Sequence, residues 1–234
     1  MLFITILICT SSAYSQMVVK LNMEGSRKLI SGDTRGAVEL FKHAIQIDAN
    51  YPKSYFNLGL VYYKQSKFSI AKKYFDKALE YGPDDILARY HHGLVCFKIQ
   101  KYTDAVTDFT KLIQLDPKNS NYWKYRGLAQ MRVRNYEQCR SDLKKAISLT
   151  SGDYTLIYQL GRSYLYEQLY TDAIKYFNEA LTLKSNYRDA IAERGIAYVY
   201  TGNIKGACAD LKKALNMGDN SNAVISLITS HCEN

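Results

Sequence analysis

Residues 52–85, PKSYFNLGLVYYKQSKFSIAKKYFDKALEYGPDD, decide the fold. Apolar residues recur there at helical spacing in two short runs, Lys53 to Gln65 and Ser69 to Tyr81, with a tight turn at Ser66 and Lys67 between them. Moving the window by 34 residues in either direction brings back the same skeleton. Glycine recurs as Gly25, Gly59, Gly93, Gly127, Gly161 and Gly195. A small residue recurs as Ala37, Ala71, Ala105, Cys139, Ala173 and Ala207, and four residues later come Phe41, Phe75, Phe109, Leu143, Phe177 and Leu211. A further step of three gives Ala44, Ala78, Leu112, Ala146, Ala180 and Ala214. Four columns held in phase over six units define a repeat array.

The columns have a physical reading. Counting each unit from the position of Pro52, the small eighth and twentieth residues fall where the two helices of a pair cross and let the backbones approach. A mid-helix glycine costs about 1 kcal/mol relative to alanine, which packing must offset. One helix pair cannot bury its apolar stripe alone, so each must stack on its neighbours. The L-G-x2-Y, A-x3-F and terminal-proline skeleton closely resembles the tetratricopeptide repeat (TPR) over residues 18–221. The resemblance implies an all-α, right-handed superhelical solenoid of six helix pairs, at 18–51, 52–85, 86–119, 120–153, 154–187 and 188–221. Residues 222–234 follow the register for half a unit, with Val224, Ile225 and Ile228 at helical spacing, and read as a capping helix. His92, Arg126 and Arg194 stand at the seventh position, where leucine is usual, and are expected to snorkel toward water.

Residues 1–15, MLFITILICTSSAYS, lie outside the repeats. Their apolar run is shorter than the roughly 20 residues a bilayer span needs. With Ala13 and Ser15 before Gln16, the stretch reads as a secretory signal peptide, although no Lys or Arg precedes the run. The expected location is therefore outside the cytoplasm: bacterial periplasm, envelope or secreted.

The net charge of +9 raises the question of an anionic partner. Lys72, Lys73, Lys77, Lys144, Lys145, Lys212 and Lys213 fall on outer faces of second helices, where cations suit solubility and the helix dipole. Nucleic acid is accordingly not expected. No nucleophile elbow, phosphate-cradling glycine loop, HExxH or Ser/His/Asp set is present, so neither an enzyme nor a cofactor is expected. His91 and His92 are adjacent and point about 100° apart, Cys96 and Cys139 replace core residues, and no close C-x2-C pair occurs, so no metal site is expected. Cys208 and Cys232 differ. In a stacked array the eleventh position of the cap faces the twentieth or twenty-first of the helix before it, which places these two within disulfide reach.

In the TPR family, ligands bind along the first helices. Carrying those positions over residue by residue selects Phe56, Tyr63, Tyr90, Phe97, Lys124, Tyr125, Arg132, Tyr158, Arg162 and Tyr166, an aromatic stripe with interleaved cations. The carboxylate clamp that grips acidic chaperone tails is not matched. The corresponding residues from repeat one are Asn22, Ser26, Asn57, Leu87 and His91, of which only Asn57 fits. The resemblance thus implies a non-catalytic scaffold that binds a protein or peptide segment in an aromatic and basic groove. The alternative is a basic surface protein that engages anionic polysaccharide, lipid or nucleic acid through its convex lysine face.

Overall fold

The computed structural model describes residues 2–232, with side chains from Ala13 onward. Among the described residues there are thirteen α-helices and no strand. The first pair is α1 (Leu2–Ile30) and α2 (Thr34–Ile47), followed by α3 (Pro52–Lys64) and α4 (Phe68–Tyr81), then α5 (Ile86–Lys98) and α6 (Tyr102–Leu115). Next come α7 (Ser120–Arg132) with α8 (Tyr136–Ser148), α9 (Tyr154–Tyr166) with α10 (Tyr170–Leu183), and α11 (Arg188–Tyr200) with α12 (Ile204–Asn216). A single helix, α13 (Asn222–His231), ends the series. The helices divide into two compact units, Met1–Leu112 and Ile113–Asn234, with α6 crossing the division.

In the first unit, consecutive helices pack as antiparallel neighbours and the first helices also touch, α1 against α3 and α3 against α5. Its core runs from Val18, Leu21 and Ala44, through Ala37, Phe41, Leu58 and Val61, to Phe56, Ala71, Phe75, Ala78 and Val95. The glycine column is explained at Gly59, where an added Cβ would lie 2.5 Å from Cε1 of Phe75. In the second unit the core is Met131, Cys139, Leu143 and Leu156, then Ile157, Phe177, Ile191, Leu211, Val224 and Ile228. There α7 touches α9, α9 touches α11 and α11 touches α13.

The turns inside the pairs share one backbone device. Gly32, Ser66, Gln100, Arg134, Gln168 and Gly202 all have positive φ, between 57° and 92°. At five of the six, all but Gly32, the next residue then donates its N–H back across the helix end, as Lys67 to Tyr62 O at 2.9 Å, Lys101 to Cys96 O at 2.8 Å and Leu169 to Tyr164 O at 2.9 Å. These are Schellman closures, which satisfy carbonyls left over at a helix C-terminus. Only two of the six positions carry glycine, the residue that adopts this conformation without steric cost.

The seventh-position cations do not snorkel. Each is bound by an aspartate sixteen residues on, from the second helix of its own repeat. Arg126 donates Nε and Nη2 to the two carboxylate oxygens of Asp142 at 2.8 and 2.7 Å. Arg194 grips Asp210 likewise at 2.6 and 2.8 Å. His92 meets Asp108 at 2.5 Å through Nδ1 and Asp76 at 2.9 Å through Nε2. Asp142 is fully buried and Arg126 is only 14% exposed, so the head groups stay inside. The reason is that a fixed bidentate carboxylate at close range replaces the water a snorkelling guanidinium would seek. In repeats two and five the same two positions hold Leu58 with Tyr74 and Leu160 with Tyr176.

The end of the chain matches the sequence reading in most respects. Cys208 and Cys232 are joined by a disulfide, Cα to Cα 5.5 Å, which ties α13 to α12. Cys96 and Cys139 are free and buried. Val224 and Ile228 are buried, but Ile225 is 44% exposed and is not a core residue, because the ten-residue cap has a neighbour on one side only. At the other end, α1 is continuous from Leu2 into the first repeat. Side chains of residues 1–12 lie outside the described ones. No described helix is long and apolar enough to cross a membrane.

Candidate functional site

Helix α9 starts at Asp153, whose carboxylate accepts from the N–H groups of Thr155 (2.9 Å) and Leu156 (3.2 Å) and so caps it. From that fixed start Tyr158, Arg162 and Tyr166 follow at four-residue spacing and share one face. The Arg162 guanidinium lies 5.7 Å from the Tyr158 ring centroid and 5.1 Å from that of Tyr166, and it donates to the Tyr166 hydroxyl. From α11, Glu193 reaches across. Its Oε1 accepts from the Tyr158 hydroxyl at 3.1 Å and lies 3.0 Å from Arg162 Nε, an ion pair without hydrogen-bond alignment. Oε2 of Glu193 is buried and accepts no hydrogen bond. Burial pushes the Glu193 carboxyl above its usual range, although Arg162 and the Tyr158 hydroxyl pull the other way. Burial, and next the Glu193 charge, raise the Tyr158 phenol as well. Beside this cluster is a cavity of about 380 Å³ lined by Tyr158, Arg162, Asp189, Glu193, Ile196 and Asp219. Also in the second unit, Lys124 lies 5.7 Å from the ring of Tyr125, both half-buried, and Arg132 is exposed.

In the first unit three of the selected aromatics converge on one histidine. Phe56, Tyr63 and Tyr90 surround the imidazole of His91 at centroid distances of 5.8, 5.8 and 5.6 Å, with Phe75 below it at 5.8 Å. Nδ1 of His91 is buried without a hydrogen bond, and burial lowers the pKa of the ring. Phe97 packs on Tyr102 at 5.4 Å. A second cavity, about 320 Å³, lies between α1 and α3 and is lined by Val19, Asn22, Met23, Arg27, Lys53 and Asn57. Asn57 donates to Asn22 Oδ1 at 2.9 Å, so the one residue that fits the clamp pattern already serves an internal network.

The aromatic stripe is therefore less open than the sequence suggests. Phe56 and Tyr158 are each only 5% exposed, because position five of a first helix is covered by the next first helix. Tyr63, Tyr90, Phe97, Lys124, Tyr125 and Arg162 are half-buried, whereas Arg132 and Tyr166 are exposed. Glu193 escaped notice because a lone glutamate on a helix gives no signal until its neighbour across the stack is known.

Paired helices that repeat every 34 residues and stack through small-residue crossings define an all-α helical-repeat protein. Family models described as TPR repeat and tetratricopeptide repeat match residues 25–66, 52–85, 87–119 and 154–187, together more than half of the chain. The chain belongs to the tetratricopeptide-repeat family. A TPR repeat-containing protein, MJ1428, of Methanocaldococcus jannaschii is 37% identical over 49 residues, which are 21% of this chain and 9% of that protein. The fold is similar to that of YrrB, described as a TPR protein with an unusual peptide-binding site (TM-score 0.67, 21% identity, 82% of this chain and 99% of that one). It is similar also to MamA of Desulfovibrio magneticus RS-1 (0.67, 20%, 73% and 97%) and to pilF of Pseudomonas aeruginosa (0.69, 14%, 93% and 99%).

Proposed function

We propose that this chain is a non-catalytic scaffold that binds an extended segment of a partner protein along its first helices, with Tyr158, Arg162, Tyr166 and Glu193 as the anchor. The observation that carries this reading is the second-unit cavity. Two tyrosines and an arginine, the residue types that dominate binding hot spots, stand at its edge with a carboxylate oxygen that has no donor. Internal bonds hold these side chains in place, which reduces the ordering cost of capturing a ligand. The description of YrrB as peptide-binding lends support by likeness of fold. The convex lysines favour this reading over the anionic-surface one, since Lys72 and Lys77 are paired with Asp76 and Glu80, and Lys212 donates to the Cys232 carbonyl. The same proposal places the protein outside the cytoplasm, on the strength of the apolar stretch before Gln16.

The test is selection of peptides from a displayed random library on the immobilised full chain. Enriched peptides should lose about tenfold or more in affinity for Tyr166→Ala and for Arg162→Ala, while Lys212→Glu/Lys213→Glu leaves them unchanged. Peptides that ignore the first pair and respond to the lysine variant would overturn the reading. Export is checked by mass spectrometry of the native chain, with a mature N-terminus expected near Tyr14 or Gln16; an intact Met1 in the cytosol would contradict it.

A further inference from the structure

Three repeats place a cation at the seventh position against an aspartate sixteen residues on, but the three cations are not equivalent. Arg126 and Arg194 never lose a proton in a protein and offer no lone pair. His92 can do both. The residue one turn later, which shares its helix face, is Gln130 in repeat four, Tyr198 in repeat six and a thiol, Cys96, in repeat three. Only repeat three thus combines an imidazole, a thiol and a carboxylate. Cys96 Sγ lies 3.8 Å from His92 Nδ1 and 3.6 Å from Nε2, and Asp108 Oδ2 lies 2.5 Å from Nδ1. Among the described residues these three form a buried group whose ligand atoms all fall within 4.8 Å of one another.

We propose that His92, Cys96 and Asp108 bind one divalent ion of borderline softness, Zn(II) in chemical class, with Asp76 orienting the imidazole. Nitrogen, sulfur and carboxylate oxygen together are a zinc-type donor set. Around a tetrahedral zinc with bonds of about 2.0–2.3 Å, ligand atoms sit roughly 3.3–3.7 Å apart. The sulfur to Nδ1 distance already approaches that range. The Nδ1 to Asp108 distance must open by about 1 Å as the proton between them leaves. Asp76 Oδ1, 2.9 Å from Nε2, accepts the remaining N–H, the usual arrangement behind a metal-bound histidine. Asp76 is about half exposed, so the imidazole's outer partner borders solvent.

The exchange balances. The ion displaces one proton from Nδ1 and one from the Cys96 thiol, both released to water. An imidazolium of charge +1 is replaced by a dication and a thiolate, which sum to +1, so the carboxylate ligand Asp108 and the charges around it, Arg89 with Nη1 3.5 Å from Asp108 Oδ1 and the Lys72–Asp76 pair, face an unchanged net charge. A sequence search for closely spaced cysteines or for two histidines misses such a site, because its ligands stand on two helices.

The experiment is titration of the chelator-treated, full-length protein with Co(II) under argon. One equivalent should produce a thiolate-to-cobalt charge-transfer band in the near ultraviolet, and Zn(II) should abolish it. Cys96→Ser should remove the band and Cys139→Ser should leave it. His92→Arg recreates the pairing of Arg126 with Asp142, so it should fold and yet bind no ion. Asp76→Asn should weaken binding about 10–100-fold. No band in folded protein, or a band that survives either Cys96→Ser or His92→Arg, would overturn the proposal.

Discussion

The Arg126–Asp142 pair allows a sharp test, because the chain itself contains the apolar alternative. Asp142 is fully buried and accepts two guanidinium bonds plus one from Gln138 Nε2 at 3.1 Å. Arg126→Leu removes the charge that compensates this carboxylate, and Asp142→Tyr strands the guanidinium, which is 14% exposed. Breaking a buried pair from one side costs about 3–5 kcal/mol, since the remaining charge loses both water and partner. Replacing both partners by well-packed apolar groups is often close to neutral. The double variant Arg126→Leu/Asp142→Tyr installs the combination found at Leu160 and Tyr176, where the tyrosine stacks on Tyr164 at 5.2 Å. It should therefore lie within about 2 kcal/mol of the parent, giving a coupling of at least about 4 kcal/mol. Urea unfolding followed by far-ultraviolet dichroism measures this, with the slope compared across variants because repeat arrays can unfold in parts. Single variants that each lose less than about 1 kcal/mol, or a double variant that loses the sum of the two, would refute the reasoning.

Three further outcomes follow from the structure. Ser66→Gly and Gln100→Gly relieve a left-handed conformation that costs other residues about 1–2 kcal/mol, and after glycine's larger unfolded-state entropy each should gain about 0.5–1 kcal/mol; an equal loss instead would deny the strain. Reduction of Cys208–Cys232, 24 residues apart, should lower stability by about 3 kcal/mol and speed hydrogen exchange in α13 before the rest of its unit; uniform exchange would contradict a cap held by the bond. Asp153→Ala should cost about 1 kcal/mol at neutral pH as a lost cap. Burial raises the Asp153 carboxyl, but bonds from the Thr155 hydroxyl and from the Leu156 and Thr155 amides outweigh it and hold its pKa below the ordinary value. Its contribution is thus present above the unfolded carboxylate range and shrinks as pH falls through the depressed value, so the gap between variant and parent should narrow on acidification. A gap independent of pH would show that the charge takes no part.

Residue columns at a fixed period were enough to determine the helix pairs, their glycine crossings, the capping helix and the cysteine pair at its end. These depend on spacing along the chain: a small residue every 34 positions has one packing explanation, and Cys232 sits in a half-unit whose register is already set. The left-handed turns carried little sequence signal, because serine, glutamine and arginine adopt that conformation once the flanking helices are packed. What only the tertiary structure decided is which polar residues face one another. Asp108, Asp142 and Asp210 meet their cations only because the second helix folds back and sets each beside the residue sixteen positions earlier. Glu193 acquires its role from Tyr158 and Arg162, 35 and 31 positions away on a neighbouring helix. Phe56 and Tyr158 likewise read as exposed until the next first helix covers them. Periodicity specifies which face of a helix turns inward; the burial and charge of a given side chain depend on the element stacked against it, and that is a property of the assembled solenoid.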